Sequence, residues 1–303
     1  MRSSEPALTG HPVIPNGRQP AAARIRVLPA PFSKLWLAGS LALLAACWAL
    51  LWMVRSYWNP LFFFGLWTAA VWTARNLAGR PPGQWRRHLA LSVLSIPLWW
   101  WFEFVNRFLG NWAYHSTVEY TEVEYRLFAS VAFSTVIPAL DAAWQLATSF
   151  TGAGPAPSPN RSRRWYATEA VAGLIGQALV FALPHYFYAW AWIAPSLILD
   201  AAVGTAGKPS LLSAMAAGRW RLPLTIGLAG IGCGFFWELW NVAAMPKWTY
   251  SVPFLHFLQV FEMPLLGYLG YVPFSWSVYQ LVELVGLGIG RRLKPASATP
   301  RYT

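Results

Sequence analysis

Two acids lie near the ends of long apolar runs, each followed by an amide three residues on: Glu103 with Asn106, and Glu238 with Asn241. Residues three apart share a helix face, so each acid and its amide form one polar spot on an apolar surface. A carboxyl at that depth meets two costs on ionising, the loss of water and the negative end of its own helix dipole. Ionisable groups inside an apolar span are functional candidates by default, here as a general acid with the amide orienting it. The competing reading is a polar clasp between helices. The two spots differ in one respect. Arg107 follows Glu103 by four residues, the order that favours a helical ion pair, whereas Val242 holds the matching place after Glu238. Glu238 is therefore the preferred acid, with Glu103, Asn106 and Asn241 beside it.

Glu124 and Glu262 open the apolar runs that follow, where a first-turn acid complements the helix dipole, so a structural role competes with a reactive one. Trp112, Tyr114, Trp248 and Tyr250 read either as anchors at the membrane interface or as walls of an aromatic pocket. In the pocket reading Trp99, Trp100, Trp101, Trp237 and Trp240 join them and hold an apolar substrate, and their faces stabilise cations. His115, His185 and His256 show no metal-ligand spacing, and no metal or cofactor is expected. Asp141, Gln145 and Glu283 form a second polar set, either a buried clasp or part of an ion pathway.

Such residues need elements to carry them. Of 303 residues, 56% are apolar and only 11% charged, and 20 are Trp. Soluble domains carry about a quarter charged residues, so this composition with its repeated apolar runs means an all-α integral membrane bundle. The runs are continuous, which excludes the alternation of a β-barrel. Eight transmembrane helices are predicted, at 35–54, 60–78, 89–109, 125–150, 167–185, 188–205, 222–244 and 262–289. The fifth and sixth are divided at Pro184, which interrupts a helix. With the N-terminus inside, every basic residue except Arg55, Arg107, Arg126 and Lys247 falls on the cytoplasmic side. That bias predicts both termini in the cytoplasm and a plasma (inner) membrane location. The net charge of +12 is then a topology signal with membrane lipids as its partners, and nucleic acid is not needed to explain it.

A Pro- and Gly-rich linker at 151–164 divides the chain into repeats at 35–150 and 165–290, flanked by basic tails at 1–34 and 291–303. The halves align without a gap from Trp85–Asn106 onto Trp220–Asn241, and Trp112 and Tyr114 then match Trp248 and Tyr250. An internal duplication of two parallel four-helix repeats is expected, with its pseudo-two-fold axis along the membrane normal. Gly227, Gly230 and Gly234 mark a face where a neighbouring helix approaches closely.

A Trp-x-Tyr, about ten residues, and then a Glu opening an apolar helix, twice over, resembles the membrane-embedded lycopene cyclases of carotenoid synthesis. It is carried by Trp112, Tyr114 and Glu124, and again by Trp248, Tyr250 and Glu262. The family's Pro-x-Glu-Glu at the acid is replaced here by Glu-Val-Glu-Tyr and Phe-Glu-Met-Pro. The resemblance implies isoprenoid chemistry in which a carboxylic acid protonates a double bond. Three functions remain open on the sequence: an enzyme acting on a lipid or isoprenoid, a transporter or small-molecule binder, and a non-catalytic scaffold.

Overall fold

The computed structural model describes residues 33–80, 84–152, 161–255 and 257–287. The tails at 1–34 and 291–303, but for Ser33 and Lys34, and most of the linker at 151–164, lie outside them. The elements run in the order α1 (Lys34–Met53), α2 (Asn59–Leu77), α3 (Trp85–Leu109), β1 (Trp112–His115), α4 (Glu122–Phe133) and α5 (Val136–Thr151). Then come α6 (Arg163–Ala182), α7 (Pro184–Phe187), α8 (Trp190–Thr205), α9 (Leu211–Ala216) and α10 (Arg221–Asn241). Strands β2 (Lys247–Tyr250), β3 (Gln259–Val260) and β4 (Met263–Pro264), a 3₁₀ turn (Leu265–Gly270) and α11 (Tyr271–Leu284) complete the chain. Among the described residues five stretches are long and apolar enough to cross a membrane: α1, α3, α4 with α5, α6 and α10. The chain is thus a mostly helical, membrane-embedded protein. Helices α8 and α11, with 16 and 14 residues, fall short of an ordinary span by length.

Local chemistry sets the breaks. The expected helix at 125–150 is two helices, because Pro138 supplies no N–H and its ring clashes with the carbonyl one turn back. Ser95 of α3 fills the gap: its hydroxyl donates to the Phe133 carbonyl at 2.5 Å and accepts from the Ile137 N–H at 3.1 Å. Pro184 separates α6 from α7 as the sequence predicts. The expected helix at 262–289 starts later than its apolar run. Pro264, Gly267 and Gly270 give a strand and a 3₁₀ turn before α11.

The core gathers on α5, where every residue from Val136 to Ala142 is buried. It packs with Leu66 of α2, Leu91 and Phe102 of α3, Ile226 of α10, and Phe274 and Val278 of α11. Helices α10 and α11 come close through glycine: a Cβ on Gly230 would stand 2.7 Å from the Tyr271 carbonyl oxygen. The Ser275 hydroxyl then reaches the Ile226 carbonyl at 2.9 Å, and Trp276 Nε1 reaches that of Pro223 at 2.9 Å. At one end of the bundle, side chains tie neighbouring helix ends together. Arg87 reaches the Leu287 carbonyl, Lys208 that of Glu283, and Thr151 meets Thr225. At the other end Arg55 caps α10 through the carbonyls of Ala243 and Ala244, beside β1 and β2.

Candidate functional site

Each acid–amide pair sits at the end of a long helix, and the chain then turns back into a short strand. Gly110 makes the first turn possible, with φ at 63°, where a side chain would be strained. The amides dock the strands. Asn241 donates to the Trp248 carbonyl at 2.7 Å and accepts from the Trp248 N–H at 2.9 Å. Asn106 does the same for Trp112, at 2.8 and 3.2 Å, and also accepts from the Asn111 N–H at 2.9 Å. The strands pair antiparallel, with Trp112 opposite Tyr250, Ala113 opposite Thr249, and Tyr114 opposite Trp248. Side chains in a strand alternate, so Trp and Tyr two apart return to one face, toward the acids.

Oε1 of Glu238 accepts the hydroxyls of Tyr250 at 2.7 Å and Tyr271 at 3.1 Å, and faces Trp248 Nε1 at 3.4 Å. Its Oε2 is buried and meets no hydrogen-bonding group among the described residues. Oε1 of Glu103 accepts from Tyr114 at 2.7 Å, Trp99 at 3.0 Å and Trp112 at 3.1 Å. The two acids thus differ in their third donor, Tyr271 from α11 for one and Trp99 of the same helix for the other. Burial pushes the phenols of Tyr114 and Tyr250 well above the ordinary range, and the adjoining carboxyls add to it, so both remain donors. The expected Glu103–Arg107 ion pair is absent: Arg107 is exposed, and indole and phenol donors take its place.

A cavity of about 490 Å³ opens beside the strand pair, where both halves of the chain contribute. Of the residues singled out in the sequence, Trp99, Trp112, Tyr114, Trp237, Trp248 and Tyr250 line it, whereas Trp100, bonded to the Ser130 hydroxyl, stays outside the lining. Trp101 does not; it is 40% exposed, against Phe104 and Phe181. Trp240 lies buried between Trp48 and Trp67, outside the lining. Neither Glu238 nor Glu103 touches the cavity directly; Tyr250 and Tyr271 stand between it and Glu238. Glu124 joins Thr121 in a capping box that starts α4. Glu262 does not open a helix. It sits in the turn between β3 and β4, in an ion pair with Lys247 at 2.6 Å.

Trp192, Tyr271 and Phe274 are among the further aromatic residues of the wall. Trp192 stacks on Phe102 (4.9 Å) and Trp112 (6.0 Å), and Tyr271 on Trp237 (6.0 Å). Their signal in the sequence was aromatic type alone, in a chain where such residues are everywhere. Two members of the second polar set, Asp141 and Gln145, come together with Arg87; Glu283 is on α11. Asp141 receives both Arg87 guanidinium nitrogens and the Gln145 amide, all buried. Asp200 likewise accepts from Ser210, Gln280 and the N–H groups of Leu211 and Leu212, holding the start of α9. No group of three or more His, Cys, Asp or Glu among the described residues is placed to hold a metal ion. Comparison with protein-family models, with curated proteins and with solved structures gives no match to this chain.

Proposed function

We propose that this protein takes an apolar lipid of the isoprenoid class into the aromatic cavity and acts on it by acid chemistry. The observation that carries the reading is the wall itself. Tyr250 and Tyr271 line the cavity and share one oxygen of Glu238, whose other oxygen is buried without a partner. With Glu238 in its acid form, its proton passes to a tyrosine oxygen as that hydroxyl gives its own proton to a lipid double bond. One C–H bond forms, the alkene becomes a carbocation, and Glu238 is left as carboxylate. Indole and phenol faces stabilise the cation, which ends by returning a proton from a neighbouring carbon along the same route. The net change is a double-bond shift or a ring closure, with no oxidant. This agrees with the resemblance to lycopene cyclases, although here tyrosines, and not the acids at Glu124 and Glu262, face the cavity.

The same reading places the chain as eight crossing helices in two parallel four-helix repeats, with both termini on the cytoplasmic side of the inner membrane. Its support is the matched set of bonds around Asn106 with Trp112 and Asn241 with Trp248, and a ladder in which Ala113 pairs with its repeat counterpart Thr249. A second reading has one observation in its favour. Each acid has an oxygen committed to holding a strand, which is what a purely binding or scaffolding protein requires. Transport has less support, because Asp141 and Gln145 are tied to Arg87 in the core.

The test is conversion of lycopene or geranylgeraniol by the purified protein in nanodiscs, with products identified by mass spectrometry. Glu238→Gln is expected to accumulate normally, retain the bound lipid and lose conversion. Conversion at the wild-type rate in that variant overturns the acid assignment, and lipid retained unchanged by the wild type favours the binder.

A further inference from the structure

We infer that the lipid enters the cavity sideways from the bilayer, through a mouth between α8 and the 3₁₀ turn Leu265–Gly270. The inference rests on the cavity being a lipid site, as proposed above. Nearly all residues that line the cavity are buried or half-buried, as the wall of a closed site should be. Four of the lining residues are exposed to the outside as well: Ala189, Ile193, Leu266 and Leu269. Ala189 and Ile193 are one helical turn apart at the start of α8, and Leu266 and Leu269 are one turn apart on the 3₁₀ helix, which has three residues per turn. They make two facing rims. Leu269 is 60% exposed, Leu266 48% and Ile193 36%, so each side chain reaches both the cavity and the outer surface.

The rims are apolar. Gly267 and Gly270 also line the cavity, one 3₁₀ turn apart, and without side chains they let neighbours pack closely: a Cβ on Gly267 would stand 2.5 Å from the Met263 sulfur. The rims touch at Gly270, where a Cβ would stand 3.3 Å from Trp192 Cδ1. None of the four rim residues can form a side-chain hydrogen bond. A polar solute passing them loses water and gains nothing, whereas an apolar chain leaving hydrocarbon loses nothing. Just before α8, Tyr186 stacks on Phe254 at 6.4 Å with His185 against both rings, and Phe257 and Leu258 are exposed. The hairpin of β3 and β4 that leads into the 3₁₀ turn is pinned, by Lys247 to Glu262 and by the Tyr268 hydroxyl to the Val260 carbonyl at 3.1 Å.

The test follows uptake of diphenylhexatriene, an apolar polyene hydrocarbon, from phosphatidylcholine vesicles into the full chain in nanodiscs, read over time as absorbance above that of empty nanodiscs. Ile193→Phe and Leu269→Phe each narrow the mouth and are expected to slow uptake by about tenfold or more while final occupancy stays near that of the wild type. Leu228→Phe, an exposed apolar position on α10 away from the cavity, serves as the control and is expected to leave the rate unchanged. Wild-type rates in both mouth variants overturn the route, and so does equal slowing by Leu228→Phe. No uptake by the wild type overturns the cavity as a lipid site, and the mouth with it. Uptake that is slowed as expected, with no conversion of lycopene, leaves the route standing and refutes only the acid chemistry.

Discussion

Replacing Asn241 with Ala removes the side chain that holds both main-chain groups of Trp248. Asn241 is fully buried, and its bonds to the Trp248 carbonyl and N–H measure 2.7 and 2.9 Å. Alanine leaves one buried donor and one acceptor unmet, each costing about 1–3 kcal/mol. Trp248 is only half-buried, so water recovers part of that, and a net loss of about 2–4 kcal/mol is expected. Asn241→Asp separates the two bonds. It keeps the acceptor for the N–H and sets an oxygen against the Trp248 carbonyl, so its loss is at least as large. The assay is equilibrium unfolding in mixed micelles of mild detergent and dodecyl sulfate, followed by tryptophan fluorescence. Because β1 and β2 pair, Asn106→Ala and Asn241→Ala are expected to couple in a double-mutant cycle. A loss below about 0.5 kcal/mol for Asn241→Ala, the range of an ordinary surface change, refutes the docking role. So does loss of lipid conversion with stability intact, which would return Asn241 to orienting the acid.

Arg87→Met strands the Asp141 carboxylate in the core and is expected to cost about 3–5 kcal/mol in the same unfolding assay. The double variant Arg87→Met with Asp141→Leu should recover most of it, because a buried pair replaced by apolar groups of similar volume is near neutral. Glu238→Ala leaves the hydroxyls of Tyr250 and Tyr271 without their acceptor and is expected to destabilise by about 1–3 kcal/mol for each. Glu238→Gln keeps an acceptor oxygen and should stay within about 1 kcal/mol of the wild type, so a large loss there supports the clasp over the acid. Gly230→Val drives a side chain against the Tyr271 carbonyl, and separating α10 from α11 should cost about 1–3 kcal/mol or more, read by unfolding.

Several features were legible in the sequence because their causes are local. Composition required a membrane, Pro184 required a break, and the glycines of α10 required a close neighbour. The spacing of acid and amide located both strand-docking sites, although it suggested a different task for the amides. What failed were partners chosen across the fold. Arg107 is at the right spacing for Glu103, but its side chain is exposed, and an indole and a phenol from a later strand reach the acid instead. Glu262 reads as a helix start, yet glycines and prolines behind it delay the helix and Lys247 holds it in a turn.

By itself, then, the sequence determined that this chain is helical and membrane-embedded, and that two acid–amide pairs end long helices. Periodicity carries that much, since it reports which face of one helix is polar. Only the tertiary structure decided what the acids see. The antiparallel register sets Trp112 against Tyr250, α11 brings Tyr271 to Glu238, and the cavity lies on the far side of those tyrosines. These are contacts between segments far apart in the chain, fixed by packing of bulky side chains against one another, and no spacing within a single helix encodes them.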